Sequence, residues 1–510
     1  MNNSERVIWN SIVLYAKILI CIVLSLWTVP IVLHGLGESD YGLYALVAGV
    51  IAMLAFLKTA MASSTQRYLS VARGEGDSQK MNAVFNSAFT LHLLFGLVIV
   101  VVLEALTPFL FGHFLNIAPE RMFAGTIIYQ TLLASMFITI MTIPFDAELN
   151  AYENMPVFAV IEVLDALLKL AMAFSLQFIT HWDKLIWYGI GMTAIPIINF
   201  VIKYLYTHYT YKELYISRTL LWNPAVLKQM FNFTSWNTFG ALAIVGRNQG
   251  LAIILNLFRG TVINAAYGIA SQINAIMGYF SQTLRKSIHP QLMQSEGKGD
   301  RARMLRLVFT SSKFSVLVMG VIAIPLIVEL PLVLKLWLTN VPEYALEFTQ
   351  LILIASLIYQ MSAGLMAGVL SVGKVKAYQI VISILMLINL PLAYVFLKTG
   401  FAPPWILVGM IVCEILCLIA RLIFSKQLFE LPVGQFCWKV IIPLLVILSV
   451  NWIILTAVTR LLDTSLLRLV LNSALSVAIS GGLSWLFLLN SMEKNVILQF
   501  VKRFTSKIKR

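Results

Sequence analysis

The sequence predicts an all-α polytopic membrane protein of about fourteen transmembrane helices. They form two six-helix lobes related by a pseudo-two-fold along the membrane normal, plus a C-terminal helix pair. Three observations predict this. Hydrophobic residues make up 59% of the 510-residue chain and charged residues only 12%, against about 25% charged in soluble domains. The apolar stretches run unbroken for about 20 residues, enough to cross a bilayer as helix, and they do not alternate as the strands of a membrane barrel would. Finally, short landmarks near the start of the chain recur in the same order about 226 residues later.

In chain order, the apolar runs place spans at residues 7–33, 42–66, 83–106, 123–145, 157–180, 185–206, 234–257, 262–284, 307–330, 347–369, 377–397, 405–424, 437–459 and 468–490. The first follows only MNNSER and is too long for a signal h-region, so it reads as a span and not as a cleaved leader. Lys and Arg concentrate on one side, at Arg67, Arg73 and Lys80, between Arg285 and Arg306, and between Lys494 and Arg510. The opposite side carries less than a third as many, among them Arg121, Lys184, Arg259 and Lys335. By the positive-inside rule both termini are cytoplasmic, and the net charge of +14 reflects topology and not a nucleic-acid partner. Pro30, Pro144, Pro196, Pro325 and Pro391 fall within spans as kinks or hinges. Cys21, Cys413, Cys417 and Cys437 lie in apolar runs and read as packing. In the basic tail Val496, Ile497, Phe500, Val501, Phe504 and Ile508 form one helical stripe, the pattern of an amphipathic helix on the inner leaflet.

The repeat is concrete. Span 1 opens with WNS at Trp9 and span 7 with WNT at Trp236; span 2 opens at Tyr41-Gly42 and span 8 at Tyr267-Gly268. The loops GEGDSQKM (74–81) and GKGDRARM (297–304) follow in turn. Six spans separate the copies, so both share one orientation, as in transporters whose substrate lies between two halves exposed alternately. The expected division is an N-lobe over 1–215 (spans 1–6) and a C-lobe over 216–430 (spans 7–12). An extra hairpin follows over 431–492 (spans 13–14), then a basic amphipathic cytoplasmic tail over 493–510.

The W-N starts, the Y-G openings, the basic G-x-G-D loops and the P-F-x-A-x-L-x-A stretch from Pro144 to Ala151 carry a resemblance over nearly the whole chain. The sequence resembles the multidrug/oligosaccharidyl-lipid/polysaccharide (MOP, MATE-like) superfamily, and within it the polysaccharide-exporter (Wzx-like oligosaccharide flippase) branch. Fourteen spans suit that branch, since drug-extruding relatives usually have twelve. Relatives often carry an acid where this chain has Gln249 or Gly250, so any role of that acid does not transfer.

Ionisable residues inside spans are costly and mark pathways or partners. Lys17 in span 1 and Arg247 in span 7 occupy nearby positions in the repeat, Arg247 aligning with Ile20. Together they suggest a basic cavity for a lipid pyrophosphate, with Arg247 bidentate; the bland alternative pairs each cation with a carboxylate, for instance Arg247 with Glu414. Lys58 and Lys313 are further substrate-contact candidates, or snorkelling cations near span ends. Asn248 and Gln272 stand among amides of spans 7 and 8 that either bind sugar hydroxyls or join helix to helix. Glu162, Asp165 and Lys169 share one face of span 5 at spacings i, i+3 and i+7. Either they neutralise one another, or Glu162 or Asp165 couples a proton or sodium ion.

No catalytic triad or metal motif is present, GKGD lacks Walker A spacing, and no cofactor is indicated, so the chain reads as a transporter and not an enzyme. The expected function is a flippase moving an undecaprenyl-pyrophosphate-linked oligosaccharide across a bacterial inner membrane, for surface polysaccharide such as O-antigen. Its expected partners are that lipid-linked glycan, membrane lipids, H+ or Na+, and polysaccharide polymerase or assembly proteins. A drug/cation antiporter of the same fold is the alternative. A membrane glycan polymerase fits less well, because every outer loop is short.

Overall fold

In lipid a backbone must satisfy its own hydrogen bonds, which leaves unbroken apolar runs only the helix. The computed structural model describes residues 3–52, 54–114, 117–338, 340–495 and 498–499, and among them there is no strand. The chain forms two units, Asn10–Thr238 and a second made of Met1–Trp9 and Phe239–Arg510. The expected tail helix lies outside the described residues except for 493–495 and 498–499.

The helices are, in order, α1 (Asn3–Leu36), α2 (Glu38–Ala52), α3 (Ala55–Glu75), α4 (Ser78–Phe109), α5 (Met122–Ala151), α6 (Met155–Ser175), α7 (Lys184–Thr210) and α8 (Pro224–Gly297). Then come α9 (Arg301–Trp337), α10 (Ala345–Met361), α11 (Ala363–Val372), α12 (Lys376–Leu387), α13 (Asn389–Lys398) and α14 (Trp405–Phe429). The last three are α15 (Val433–Phe436), α16 (Ile442–Leu461) and α17 (Leu466–Leu483). Among the described residues ten helical stretches are long and apolar enough to cross a membrane, and the pair α10–α11, bent by 44°, makes an eleventh. The remaining expected spans are helical too. α8 merges two of them across Gly260, whose φ of 75° and ψ of −170° leave helical geometry. α6 is shorter and carries Glu162, Asp165 and Lys169; α2 and α3 together cover the second span, with a break before Ala55.

Local chemistry explains several breaks. α12 stops at Leu387, four residues before Pro391, where the proline ring meets the carbonyl four positions back. The repeated G-x-G-D loops are matching stop-and-start devices. Gly76 and Gly299 take φ of 74° and 69°, which end one helix. Asp77 and Asp300 then cap the next by accepting from the backbone N–H of Lys80 and Arg303.

In the first unit α5 packs against α7, α3, α4 and α2. Its core is built on Ile128, Tyr129, Leu133 and Phe145, and Phe145 meets Phe85 and Phe200 edge-on. At one end Arg121 clasps Asp40 and Asp183 at 2.5 and 2.6 Å. In the second unit α9 is the axis, packed against α10, α11, α16 and α17. Gly364 lets α11 approach so closely that a Cβ there would strike the Val308 backbone of α9.

The hairpin α16–α17 is fastened to α9 at two levels. The fully buried Glu329 accepts from Arg468 Nε and Nη2 at 2.9 and 2.8 Å and from Asn472 Nδ2 at 2.5 Å. Lys313 Nζ donates to the Leu488 carbonyl at 3.0 Å and pairs with Glu493 at 3.1 Å. Between these levels Asn451 bridges Ser476 and Ser480, and Ser476 donates to the Val321 carbonyl of α9.

Candidate functional site

Within the first unit, α1, α3, α5, α6 and α7 enclose a cavity of about 490 Å³. Lys17, Lys58, Glu162, Asp165 and Lys169, all marked from the sequence, line it together. The i, i+3, i+7 spacing places the three α6 charges on its wall. Asp165 pairs with Lys169 at 2.7 Å and accepts from Asn199 Nδ2, also at 2.7 Å. Lys17 reaches from α1 to pair with Glu162. Two further members, Asp146 on α5 and Lys203 on α7, escape the sequence reading; they pair at 2.5 Å. Asp146 occupies an unspecified position of the P-F-x-A-x-L-x-A stretch. Lys203 follows Asn199 by one turn on the same face, and that spacing is the signal that could have found it.

Four lysines thus face three carboxylates, an excess of one positive charge. Three lysines have a carboxylate partner; Lys58 makes no ion pair among the described residues and remains exposed into the cavity. Such a constellation inside a membrane span is stable because the space hydrates what the pairs leave uncovered. Chemically it can hold an anion near Lys58, or exchange a cation for a lysine at one of the carboxylates.

Arg247, Asn248, Gln272 and Lys313 belong to the second unit. Arg247 is 5% exposed, and its Nη1 donates to Glu414 Oε1 of α14 at 2.6 Å, which is the pairing alternative read from the sequence. Arg421, missed because it lies near a span end, is 1% exposed; its Nη1 stands 3.8 Å from the other Glu414 oxygen and donates to Ser362 Oγ at 3.1 Å. Its guanidinium lies over the Tyr359 ring, 5.1 Å from the centroid. Asn248 and Gln272 are exposed on α8, while the neighbouring Asn274 accepts from Ser356 at 2.5 Å. Lys313 is part of the hairpin fastening and does not snorkel.

A helical chain of this length with a charged cavity among apolar helices is a multi-pass membrane protein, and its fold is that of the MOP-superfamily transporters. It aligns with an outward-facing multidrug resistance MATE family transporter of that superfamily with a TM-score of 0.71 at 13% identity, covering 86% of this chain and 97% of that one. A MOP superfamily transporter from Pyrococcus furiosus, described by a binding pocket of reverse polarity that suggests a different function, aligns with a TM-score of 0.72 at 13% identity and the same coverage. At such identity the likeness is one of fold. No family model matches the chain. Over 286 residues it is 21% identical to the uncharacterized membrane protein EpsK of Bacillus subtilis (strain 168). That match covers 55% of each, so the chain spans about half the length of the curated relative it matches.

Proposed function

We propose that this chain is a flippase that carries an undecaprenyl-pyrophosphate-linked oligosaccharide from the inner to the outer leaflet of a bacterial inner membrane, for surface polysaccharide synthesis. The observation that carries this reading is the sign of the charge: a cavity of four lysines and three carboxylates in which Lys58 has no ion-pair partner among the described residues. An excess cation in a membrane cavity recruits a phosphate and repels a cationic drug. Lys17 is one of these four lysines, and Arg247 is the corresponding cation of the second repeat. Transport runs by alternating access, with both termini in the cytoplasm, and polymerase or assembly proteins receive the glycan. Glu162 or Asp165 couples the cycle to H+ or Na+, whose inward movement is favoured by about 2.3 kcal/mol per charge per 100 mV.

A deletion strain complemented with Lys58→Glu is the test. Surface polysaccharide is expected to be lost while the protein level in the membrane is kept; normal export would sink the reading. The second reading, an ion-coupled multidrug antiporter, draws on Asp146, Glu162 and Asp165, carboxylates that serve such exchange in the same cavity. Ethidium efflux that depends on this chain while glycan export does not would select it.

A further inference from the structure

The second unit buries two arginines against one glutamate, and the glutamate's two oxygens are not used alike. Glu414 Oε1 holds Arg247 across the seam between α8 and α14, at 2.6 Å. Among the described residues Oε2 has no hydrogen-bond partner, and it faces Arg421 at 3.8 Å. Arg421 lies two turns along α14 from Glu414, so whatever happens between α8 and α14, that second cation stays within reach of the carboxylate. Glu414 and Arg421 are each 1% exposed, and among the described residues the Nε atoms of both arginines lack partners. A buried carboxylate stripped of its only counter-charge is strongly destabilising; one with a spare counter-charge on its own helix is not.

We propose that Glu414 is a counter-ion shuttle, exchanging Arg247 for Arg421 so that Arg247 is released to meet an anionic group. A shift of about 1 Å closes the Arg421 contact to hydrogen-bonding distance. The partners then divide in a definite way, with one positive charge in excess until the anion arrives. Without an anion, Arg247 and Glu414 neutralise each other and Arg421 rests on Ser362 and the Tyr359 ring. With an anion, Glu414 neutralises Arg421, and the anion neutralises Arg247. Glu414 and Arg421 are therefore positioning residues that act through Arg247. The exchange itself is a property of three side chains; its use for an anion rests on the function proposed above.

Two measurements on the purified full-length chain separate these layers. The first needs no ligand: thermal unfolding of Arg247→Met, Arg421→Met and the double variant. Each single variant leaves Glu414 one partner, so small shifts of the unfolding midpoint are expected, and the double variant should fall by more than their sum. Additive shifts overturn the exchange. If the double variant does not fold, adding Glu414→Gln must restore folding, and failure to do so also overturns it. The second measurement is binding of a twenty-carbon isoprenyl pyrophosphate in detergent. Glu414→Gln, which frees Arg247, should tighten binding, and Arg421→Met, which leaves Arg247 captive, should weaken it, each roughly tenfold. If Arg247→Met abolishes binding while Glu414→Gln and Arg421→Met leave it unchanged, the shuttle is wrong and the anion reading stands. If the unsubstituted chain does not bind the probe, or Arg247→Met binds it equally well, the anion reading is wrong.

Discussion

The two units handle buried charge in opposite ways. In the first, seven ionisable side chains surround a cavity of about 490 Å³, and Glu162, Asp165 and Lys169 remain partly open to it. In the second, Glu329 with Arg468 and Glu414 with Arg247 are closed off, each member of the two pairs less than a tenth exposed. The same residue types therefore do different work. Charges around hydrated space can change partners at small cost and suit a moving ligand. Charges sealed between helices are costly to separate and fix which helices stay together.

The strongest way to break this contrast is Arg468→Ala. It leaves Glu329 buried with only Asn472, and a loss of about 3–5 kcal/mol is expected, read as a collapse of the unfolding midpoint of the purified chain. A mild effect would mean that the second unit is as forgiving as the first. Lys58→Gln sharpens the comparison from the other side. Stability should stay within about 0.5 kcal/mol, because no ion pair is broken, while transport activity falls; a large loss of stability would make Lys58 a structural cation. The smallest effect concerns the Arg121 clasp. Burial works against ionisation of Asp183, but the hydrogen bond and charge of Arg121 and the backbone N–H groups of Ile186 and Leu185 together outweigh it and hold the carboxyl below its usual range. A carboxylate depressed by folding contributes stability that is present above its unfolded value and lost as the pH falls through the folded one. Thermal unfolding of the parent should therefore weaken below about pH 4. Asp183→Asn should remove that part of the slope, at a cost under about 1 kcal/mol for so accessible a pair.

Much of this is legible in the sequence. Apolar runs locate the helices, and the G-x-G-D loops mark two equivalent junctions because glycine and aspartate there have backbone duties. The i, i+3, i+7 spacing is enough by itself to put Glu162, Asp165 and Lys169 on one face. Lys203 and Arg421 are harder to read. Each sits near the end of an apolar run, where a basic residue ordinarily flanks the membrane, and only packing shows that one enters a cavity and the other is sealed. Partner choice is also beyond the sequence: that Lys17 meets Glu162, about 145 positions away, depends on how helices are placed, and periodicity within one helix does not contain that.

The two-level fastening of α16–α17 to α9 has a consequence for biogenesis. A ribosome delivers α9 to the membrane long before Arg468 and Asn472 are made, so Glu329 and Lys313 wait in an incomplete bundle without the partners that later cover them. The hairpin thus covers a carboxylate that a shorter chain would leave without these partners. Chains ending at Glu430 should be cleared from the membrane faster than full-length ones in a pulse-chase experiment. Adding Glu329→Gln to the short chain should slow that clearance, and an unchanged rate would remove the waiting carboxylate as the mark of an unfinished chain.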